Sequence, residues 1–253
     1  MKMGSNGPAA GNKPYRHNRT SLGFPVKRYF HDPSVKELRM SQAIVHSFAV
    51  SLDGYGTGEG QCAEAPFGHA GTRLMDWFVA TRTFQEIHGD IGGSTGVDDY
   101  LVDNWATGIG AEIMGRNKFG PQRGPWADEE WKGWWGDEPP FHTPVFVLTH
   151  HPRSPIEMTG GTTFHFIDAS PSEALQVARE AAGGLHVRIG GGPSTVRQFL
   201  ASDLIDRMHI VVVPIVLGRG EPLWSGFEGL EQKFSIEAVS SPSGVTHLTF
   251  TRR

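Results

Sequence analysis

Short apolar runs separated by glycine, proline and polar clusters dominate the chain, which is the pattern of β-strands joined by loops. The first run, "AIVHSFAVS", is rich in β-branched and aromatic residues and ends at Asp53-Gly54, a favoured turn dipeptide. Later runs of the same character predict further strands: "GAEIMG", "PVFVLTHHPR", "TTFHFI", "LHVRI" and "RMHIVVVPIVLG". The last two, "KFSIEAVS" and "VTHLTFT", are expected to form an antiparallel pair.

Apolar residues at helical spacing predict helices between these strands. Residues 72–87 place Leu74, Trp77 and Phe84 among charged residues and predict one helix, and "DDYLVDNWA" predicts a shorter one. The helix in "SPSEALQVAREAAGG" is the clearest, because Ser170 and Glu173 have the spacing of a capping box. "PSTVRQFLASDLI" predicts a further helix directly after a strand.

This alternation of strands and helices predicts an α/β fold. We expect a central, mainly parallel sheet with flanking helices and an antiparallel C-terminal part. Sheets of this kind bind ligands at the carboxyl ends of their strands. The loops that follow strands are therefore the places to search for a site.

Composition excludes several classes of protein. The longest apolar run, "IVVVPIVL", is far shorter than the roughly 20 residues of a membrane span and contains Pro214, so no membrane partner is expected. A single cysteine, Cys62, excludes an intramolecular disulfide and fits the reduced cytoplasm. The twelve histidines lack a spacing such as HExxH, so we predict no metal site.

Charge divides the chain into two regions. Residues 1–40 hold eight lysines and arginines but only two acidic residues, although the whole chain carries a net charge of −4. We predict a basic extension without fixed structure at residues 1–39, followed by one folded domain at 40–253. Met40 leaves open that residues 1–39 are upstream sequence read from an early start codon. The acidic remainder argues against nucleic acid as a partner, and binding by the basic tail is the alternative.

The stretch "IGGGPSTVRQFL" places three glycines between a predicted strand and a predicted helix. Gly190, Gly191 and Gly192 leave the backbone amides accessible, and the helix that follows adds the partial positive charge of its N-terminus. The hydroxyl groups of Ser194 and Thr195 can add donors. The segment is either a phosphate cradle or a sharp structural turn.

Two other predicted strands are followed by cationic and polar side chains. These side chains are Arg116, Asn117 and Lys118 in "MGRNKFG", and Thr149, His150 and Arg153 in "LTHHPR". Each segment alone is typical of a solvated loop. Three such loops at neighbouring strand ends suit a ligand with several phosphate groups.

An ordered set of segments resembles the dihydrofolate reductase-like family, which includes the reductase domain of the bacterial bifunctional riboflavin-biosynthesis deaminase-reductase. The segments are "SLDG", "IMGR", "VFVLTHHPR", "IGGGPSTVRQFL" and "LIDRMHIVVVPIVLGRGEPLW". The resemblance covers roughly residues 41–230 and is closest to the stand-alone, single-domain members. It implies a dihydrofolate reductase-like sheet with NADPH lying across the strand ends.

The resemblance also implies roles for residues of this chain. Those implied to contact NADPH are Gly115, Arg116 and Asn117 at the phosphates, Thr149, His150 and Arg153 at the adenosine ribose phosphate, Gly190, Gly191, Gly192, Ser194 and Thr195 at the pyrophosphate, and Ala49 and Val50 at the nicotinamide. The family often has arginine where this chain has His150. The choice between NADPH and NADH is therefore open.

Hydride transfer to a heterocycle requires a proton donor and a group that orients the ring. Asp53 matches a family carboxylate beside the nicotinamide, and its alternative role is that of a turn residue. Asp76 lies on the predicted helix where such reductases carry an acidic residue facing the pterin or pyrimidine, and its alternative role is that of a solvent-facing aspartate. Both are candidate catalytic residues.

Four tryptophans, Trp126, Trp131, Trp134 and Trp135, fall in a long predicted loop. Large aromatic side chains can stack on a flat substrate, act as a lid or form a dimer contact. We expect a lid or an interface here.

Together these features predict a cytoplasmic, homodimeric, NADPH-dependent reductase of a small heterocycle. The substrate class is pterin-like or ribosylaminopyrimidine-like, with 5-amino-6-(5-phosphoribosylamino)uracil as the specific candidate. The alternative is a non-catalytic dinucleotide-binding or regulatory module on the same fold.

Overall fold

The computed structural model describes residues 41–253, and the predicted extension at residues 1–39 lies outside this part of the chain. The strands are β1 (Ala43–Ser51), β2 (Tyr55–Thr57), β3 (Ile109–Gly115), β4 (Pro144–Leu148), β5 (Ile156–Glu157), β6 (Thr163–Ile167), β7 (His186–Ile189), β8 (Arg207–Val213), β9 (Glu221–Pro222), β10 (Phe234–Ser240) and β11 (Thr246–Arg252). The α-helices are α1 (Asp76–Val79), α2 (Arg82–Ile87), α3 (Val97–Asp103), α4 (Arg116–Phe119), α5 (Pro171–Ala181) and α6 (Pro193–Ala201). Short 3-10 helices occur at Gly68–Ala70, Thr159–Gly161 and Leu230–Lys233.

The described residues form a nine-stranded sheet in the order β10-β11-β8-β1-β7-β3-β4-β6-β5. Its six central strands, from β8 to β6, are parallel, and the strands at both ends are antiparallel to their neighbours. Strands β2 and β9 form a separate antiparallel pair. The predicted α/β fold with an antiparallel C-terminal part is therefore confirmed.

Helices α5 and α6 cover one face of the central strands. Leu175 of α5 and Phe199 of α6 are almost completely buried against the apolar residues of β3 and β7. Helix α5 begins with the predicted capping box: the Ser170 hydroxyl accepts a hydrogen bond from the Glu173 amide at 3.4 Å, and the Glu173 carboxylate accepts one from the Ser170 amide at 2.9 Å. Apolar burial and the cap together determine where this helix begins and how it faces the sheet.

The predicted continuous helix at residues 72–87 is wrong, because the chain breaks it at Thr81. Thr81 has extended backbone angles (φ −74°, ψ 152°) and pairs with Ser94 as an isolated bridge. Its hydroxyl accepts a hydrogen bond from the Phe84 amide at 3.3 Å and caps α2. Two short helices, α1 and α2, therefore replace the single one.

The tryptophan-rich loop packs against the sheet. Trp126, Trp131 and Trp135 pack on an apolar cluster formed by β3, β4, β6 and α4, and the Trp135 ring lies 4.8 Å from that of Phe141. We call residues 121–143 the aromatic segment. These three tryptophans are partly buried against this chain's own core, and their expected role as a lid or a dimer contact stays a prediction.

None of the described helices combines the length and apolar character needed to cross a bilayer.

Candidate functional site

The three predicted ligand-binding loops follow three adjacent parallel strands. Strand β3 lies between β7 and β4, with Ile113 opposite Ile189 and Gly115 opposite Leu148. The loops that leave these strands therefore meet at one edge of the sheet. This edge is the switch region where open α/β sheets bind ligands.

The glycine loop packs directly against the end of β3. A side chain at Gly115 would collide with the Thr195 hydroxyl, and a Cβ added to Gly191 would lie 3.0 Å from both the Gly115 amide nitrogen and Thr195 Oγ1. Gly191 also has φ +106°, a conformation that side-chain-bearing residues rarely adopt. Both glycines are therefore required by close approach of the backbone.

Helix α6 starts at this loop with its N-terminus facing the site edge. Gly192, the N-cap, has no side chain to cap the helix, and Pro193 occupies the first helical position. Ser194 is exposed, whereas Thr195 is buried. The first amides of such a helix and its dipole favour an anion. The loop is thus a turn that also has the features of a phosphate cradle.

Arg116 reaches from the end of β3 across the neighbouring loop. Its guanidinium lies 3.8 Å above the Trp126 ring, donates to the Gly124 carbonyl and is 3.5 Å from Thr149 Oγ1. Its Nε and Nη2 are buried and have no hydrogen-bond partner among the described residues. Burial, with a smaller effect of Arg123, lowers the pKa of Arg116. Buried charged donors of this kind are stabilised by an anionic ligand.

Arg153 is directed toward the aromatic segment. Its Nη1 donates to the Glu129 carbonyl at 3.0 Å and its Nη2 to the Trp131 carbonyl at 2.6 Å. The guanidinium also lies 4.1 Å from the Trp126 ring and 4.4 Å from the Phe166 ring. Burial is the main cause that lowers the pKa of Arg153. In this conformation, Arg153 anchors the aromatic segment to the end of β4.

His150 forms an exposed pair with a residue that the sequence analysis missed. Its Nδ1 lies 2.9 Å from Oδ1 of Asp168, which follows the neighbouring strand β6. The adjacent Thr149 is buried, and its hydroxyl accepts a hydrogen bond from the His151 amide at 3.1 Å. An acidic residue directly after the predicted strand "TTFHFI" was the available signal for Asp168.

Near the end of β1, Ala49 and Val50 pair with Val211 and Val212 of β8. Ala49 and Val50 are both buried, and their side chains pack into two different apolar clusters. A role of these two residues at a nicotinamide ring stays a prediction.

A series of buried hydrogen bonds holds β1 just before Ala49. The Ser47 amide donates to His209 Nδ1 at 3.2 Å, His209 Nε2 lies 3.0 Å from His247 Nδ1, and His247 Nε2 lies 2.7 Å from Asp98 Oδ1. Because an amide can only donate, each histidine in turn accepts at Nδ1 and donates at Nε2. Ser47 has φ +52° at an irregularity in the pairing of β1 with β8. These hydrogen bonds thus stabilise a bulge that aims the end of β1.

Asp53 is fully engaged by its neighbours. Its carboxylate accepts hydrogen bonds from the Ser51 hydroxyl at 2.5 Å, the Leu217 amide at 3.1 Å and the Gly218 amide at 2.6 Å. The Ser51 hydrogen bond is the largest cause that lowers the pKa of Asp53 from 3.8 to about 2. Asp53 therefore joins the turn after β1 to the loop after β8.

Asp76 has different surroundings. It is the first residue of α1, and it is exposed, while Trp77 beside it is buried. Helix α1 packs its apolar residues against Ala49 of β1 and Val211 of β8. Both carboxylates are exposed, but that of Asp76 accepts no hydrogen bond from a described residue, whereas that of Asp53 accepts three.

A cavity of about 370 Å³ lies beside these loops. Its lining residues are Gly58, Glu59, Gly60, Gln61, Asn117, Arg123, Gly220 and Glu221. Asn117 thus lines a cavity that borders the end of β3. The described residues contain no group of three or more His, Cys, Asp or Glu that could hold a metal ion.

Strands β3 and β7 also carry charged residues that the sequence analysis did not select. Glu112 in "GAEIMG" and Arg188 in "LHVRI" are buried and paired, and Lys118 of α4 joins them. The signal was a charged residue at an interior position of each apolar strand.

Comparison with known proteins gives a consistent picture. The family profile described as the RibD C-terminal domain matches residues 42–247. No curated protein matches the sequence. A solved structure from Shewanella sp. PV-4, provisionally named a riboflavin biosynthesis protein, is similar with a TM-score of 0.51 and 22% identity, over 85% of this chain and 99% of that one. This likeness supports the fold.

Two further solved structures are similar at lower scores. A pyrimidine reductase-like protein from Corynebacterium diphtheriae has a TM-score of 0.46 and 15% identity, over 85% of this chain and 92% of that one. A diaminohydroxyphosphoribosylaminopyrimidine deaminase/5-amino-6-(5-phosphoribosylamino)uracil reductase from Thermotoga maritima has a TM-score of 0.47 and 13% identity, over 85% of this chain and 57% of that one.

Proposed function

Because the chain belongs to the RibD C-terminal domain family, we propose that it is a reductase that uses NADPH to reduce a small nitrogen heterocycle. The substrate class is pterin-like or ribosylaminopyrimidine-like. A compound similar to 5-amino-6-(5-phosphoribosylamino)uracil is the specific candidate, which the family resemblance suggests. Family membership alone does not determine the substrate, so the site carries the rest of the argument.

The observation that carries the proposal is the meeting of three strand-end loops around unpaired donors. The glycine loop and Gly115 are in contact, and Arg116 bridges toward Thr149 on the next strand. The buried Nε and Nη2 of Arg116 have no partner among the described residues. An extended anion with several phosphate oxygens fits this set of donors.

Different residues of this chain would contact different parts of the cofactor. Gly190, Gly191, Gly192, Ser194 and Thr195 would hold the pyrophosphate together with Gly115, Arg116 and Asn117. Thr149 and His150 would contact the adenosine end, and the backbone of Ala49 and Val50 would lie beside the nicotinamide. When bound, the nicotinamide supplies the hydride.

The two candidate carboxyl groups receive different roles. Asp53 is ionised at neutral pH and its oxygens accept three hydrogen bonds, so it serves to position the end of β1. The carboxylate of Asp76 is exposed and accepts no hydrogen bond from a described residue, and we assign it the delivery of a proton to the substrate. General acid catalysis by such a group contributes about 10²–10⁴-fold to the rate.

The residues at the adenosine end determine the choice between NADPH and NADH. Arg153, the residue expected at the 2′-phosphate, donates to two carbonyl groups of the aromatic segment. His150 remains near that position but is paired with Asp168. We therefore expect NADPH to be favoured by less than about tenfold, since only partial charge neutralisation is available.

Binding of nucleotides to the full chain tests the proposal. Tryptophan fluorescence and thermal stability are followed during titration with NADPH and with NADH, and turnover is then assayed with reducible pterins and ribosylaminopyrimidines. We expect micromolar binding and oxidation of the nucleotide by at least one acceptor. Absence of binding by both nucleotides would refute the reductase proposal. Binding without turnover by any acceptor would instead support the non-catalytic module.

We also propose that the enzyme acts as a homodimer in the cytoplasm. Edge strand β10 leaves Ile236 and Val239 exposed, at 42% and 49% of their residue surface, which is the kind of edge that a second copy can cover. Sedimentation analysis of the wild type and of Ile236→Lys tests this. An unchanged dimer in the variant would place the interface elsewhere, and a monomeric wild type would refute the dimer.

A further inference from the structure

Three charged side chains meet under the glycine loop. Glu112 of β3 and Arg188 of β7 are cross-strand partners, and Arg188 Nε donates to Glu112 Oε2 at 2.8 Å. Lys118 of α4 donates to the other carboxylate oxygen of Glu112 at 2.6 Å. We call these three residues the charge cluster.

The charge cluster contains two cations and one carboxylate, so its net charge is positive. Burial alone would raise the pKa of Glu112, but Arg188 and Lys118 lower it below its usual value, so the carboxylate is ionised. Arg188 and Glu112 already form a neutral buried pair, and no other acidic side chain among the described residues pairs with Arg188 or Lys118. The net positive charge of the cluster attracts an anionic group that comes close to it.

Lys118 is the member of the charge cluster that faces outward. Its side chain is 32% exposed, compared with 0% for Glu112 and 6% for Arg188. Arg188 Nη1 donates to the Trp105 carbonyl at 2.9 Å, and the guanidinium stacks on the Trp105 ring at 4.0 Å. The Lys118 ammonium has three donors and gives one to Glu112.

The position of the Lys118 ammonium links it to the glycine loop. A Cβ added to Gly190 would lie 2.7 Å from Lys118 Nζ and 3.0 Å from Glu112 Oε1. The ammonium therefore lies against the backbone of Gly190, two residues before the N-cap of α6. It is also two residues from Arg116, whose buried donors lack a partner among the described residues.

We infer that Lys118 binds a phosphate group at the glycine loop, and that Glu112 and Arg188 are positioning residues that hold its ammonium there. The inference rests on the proposed function. The phosphate belongs either to the pyrophosphate of the dinucleotide or to a phosphoribosyl substrate, and the same ammonium chemistry recognises both. A ligand phosphate would balance the extra charge of the cluster.

The first arm of the test measures binding of phosphate compounds without turnover. Lys118→Gln, Lys118→Arg and the control Lys132→Gln are compared with the wild type by calorimetry with NADPH, ADP-ribose and inorganic pyrophosphate. Lys132 is an exposed lysine of the aromatic segment. If the cofactor supplies the phosphate, Lys118→Gln raises the Kd by about tenfold or more, Lys118→Arg restores part of the affinity, and Lys132→Gln changes nothing.

The second arm compares the KM of a phosphoribosylaminopyrimidine with that of its dephosphorylated form. If the substrate supplies the phosphate, Lys118→Gln raises the KM of the phosphorylated compound alone and leaves the Kd of NADPH unchanged. A Lys118→Gln protein that melts at a lower temperature but keeps every Kd and KM would overturn the inference, because the cluster would then be purely structural.

Failure of the proposed function gives a different result. In that case the wild type binds neither dinucleotide. Inorganic pyrophosphate still tests Lys118 in that protein: tighter binding to the wild type than to Lys118→Gln supports a phosphate site, and equal binding refutes it.

Discussion

The exposed carboxylate of Asp53 accepts hydrogen bonds from a hydroxyl and two amides, whereas the exposed carboxylate of Asp76, the first residue of α1, accepts none from a described residue. The residue type and the approximate position of both were predictable from "SLDG" and "RLMDWF". Their surroundings were not, because the partners Leu217 and Gly218 lie more than 160 residues away from Asp53. Such partners are brought together only by the folded chain.

We predict that Asp53→Asn changes the stability of the protein and that Asp76→Asn changes its kcat. Asp53→Asn weakens the acceptor for two amides, so it lowers the melting temperature and changes kcat little. Asp76→Asn removes the proposed proton donor, so it leaves the melting temperature unchanged and lowers kcat by about 10²-fold or more. Calorimetry and steady-state kinetics on both variants check this. A large loss of kcat in Asp53→Asn alone would reverse the assignment.

The lowered pKa of Asp53 also determines how the stability of the protein changes with pH. Its pKa is about 2 in the folded protein and 3.8 ordinarily. Its contribution to stability is therefore complete above about pH 4 and is lost as the pH falls toward 2.

Asp168 is predicted to reduce the preference for NADPH. Its carboxylate is 54% exposed and pairs with His150 at the expected position of the adenosine ribose. Asp168→Asn removes a negative charge that opposes a 2′-phosphate, so the ratio of the Kd for NADH to that for NADPH should rise about three- to tenfold. Fluorescence titrations at low and high salt measure the ratio. An unchanged ratio at low salt would show that Asp168 does not lie near the adenosine end of the cofactor.

At the scale of elements, the glycine loop depends on contact between two strand ends. Gly191 and Gly226 both have positive φ, +106° and +83°, but only an added Cβ at Gly191 would touch other residues. We predict that Gly191→Ala and Gly226→Ala each lose about 1 kcal/mol to backbone strain, and that only Gly191→Ala raises the Kd of NADPH, by about tenfold or more. Equal Kd values for the two variants would show that the loop is a structural turn.

Two histidines at the bulge in β1, His46 and His209, predict a loss of stability in mild acid. Burial is the largest cause that lowers the pKa of His46 from 6.5 to about 4, and it lowers that of His209 in the same direction. Because the unfolded chain binds these protons more readily, the stabilising contribution is complete above pH 6.5 and is lost between pH 6.5 and 4. The loss from His46 is about 1–3 kcal/mol.

Urea unfolding at several pH values measures this effect. His209→Leu removes one titrating group and leaves the Ser47 amide without its acceptor, so it costs about 1–3 kcal/mol at pH 7 and flattens the pH dependence. A wild-type stability that is constant between pH 6.5 and 4 would contradict the neutral state of these histidines.

At the scale of the whole molecule, the aromatic segment completes the core on one face of the sheet. Trp135 stacks 6.0 Å from Phe164 and lies 4.8 Å from Phe141. We predict that Trp135→Ala lowers the free energy of unfolding by about 2–4 kcal/mol, because it leaves a cavity in that cluster. Urea unfolding and sedimentation distinguish this from a subunit contact. A variant of normal stability with altered oligomeric state would instead support a subunit contact at Trp135.

The order of the strands explains why separate segments of sequence form one site. Strand β3 is placed between β7 and β4, although 70 residues separate β3 from β7. Alternating strands and helices predicted parallel pairing but not this order. The order follows from which apolar faces pack together, and that is a property of the complete core.

The sequence by itself determined the elements whose causes are local. Residue periodicity predicted the strands, the Ser170 and Glu173 spacing predicted the start of α5, and the glycines after β7 predicted a loop suited to an anion. Only the tertiary structure decided the break at Thr81, the direction of Arg153 and the charge cluster of Glu112, Arg188 and Lys118. These depend on partners distant in sequence, whose proximity is established only when apolar burial brings the strands together.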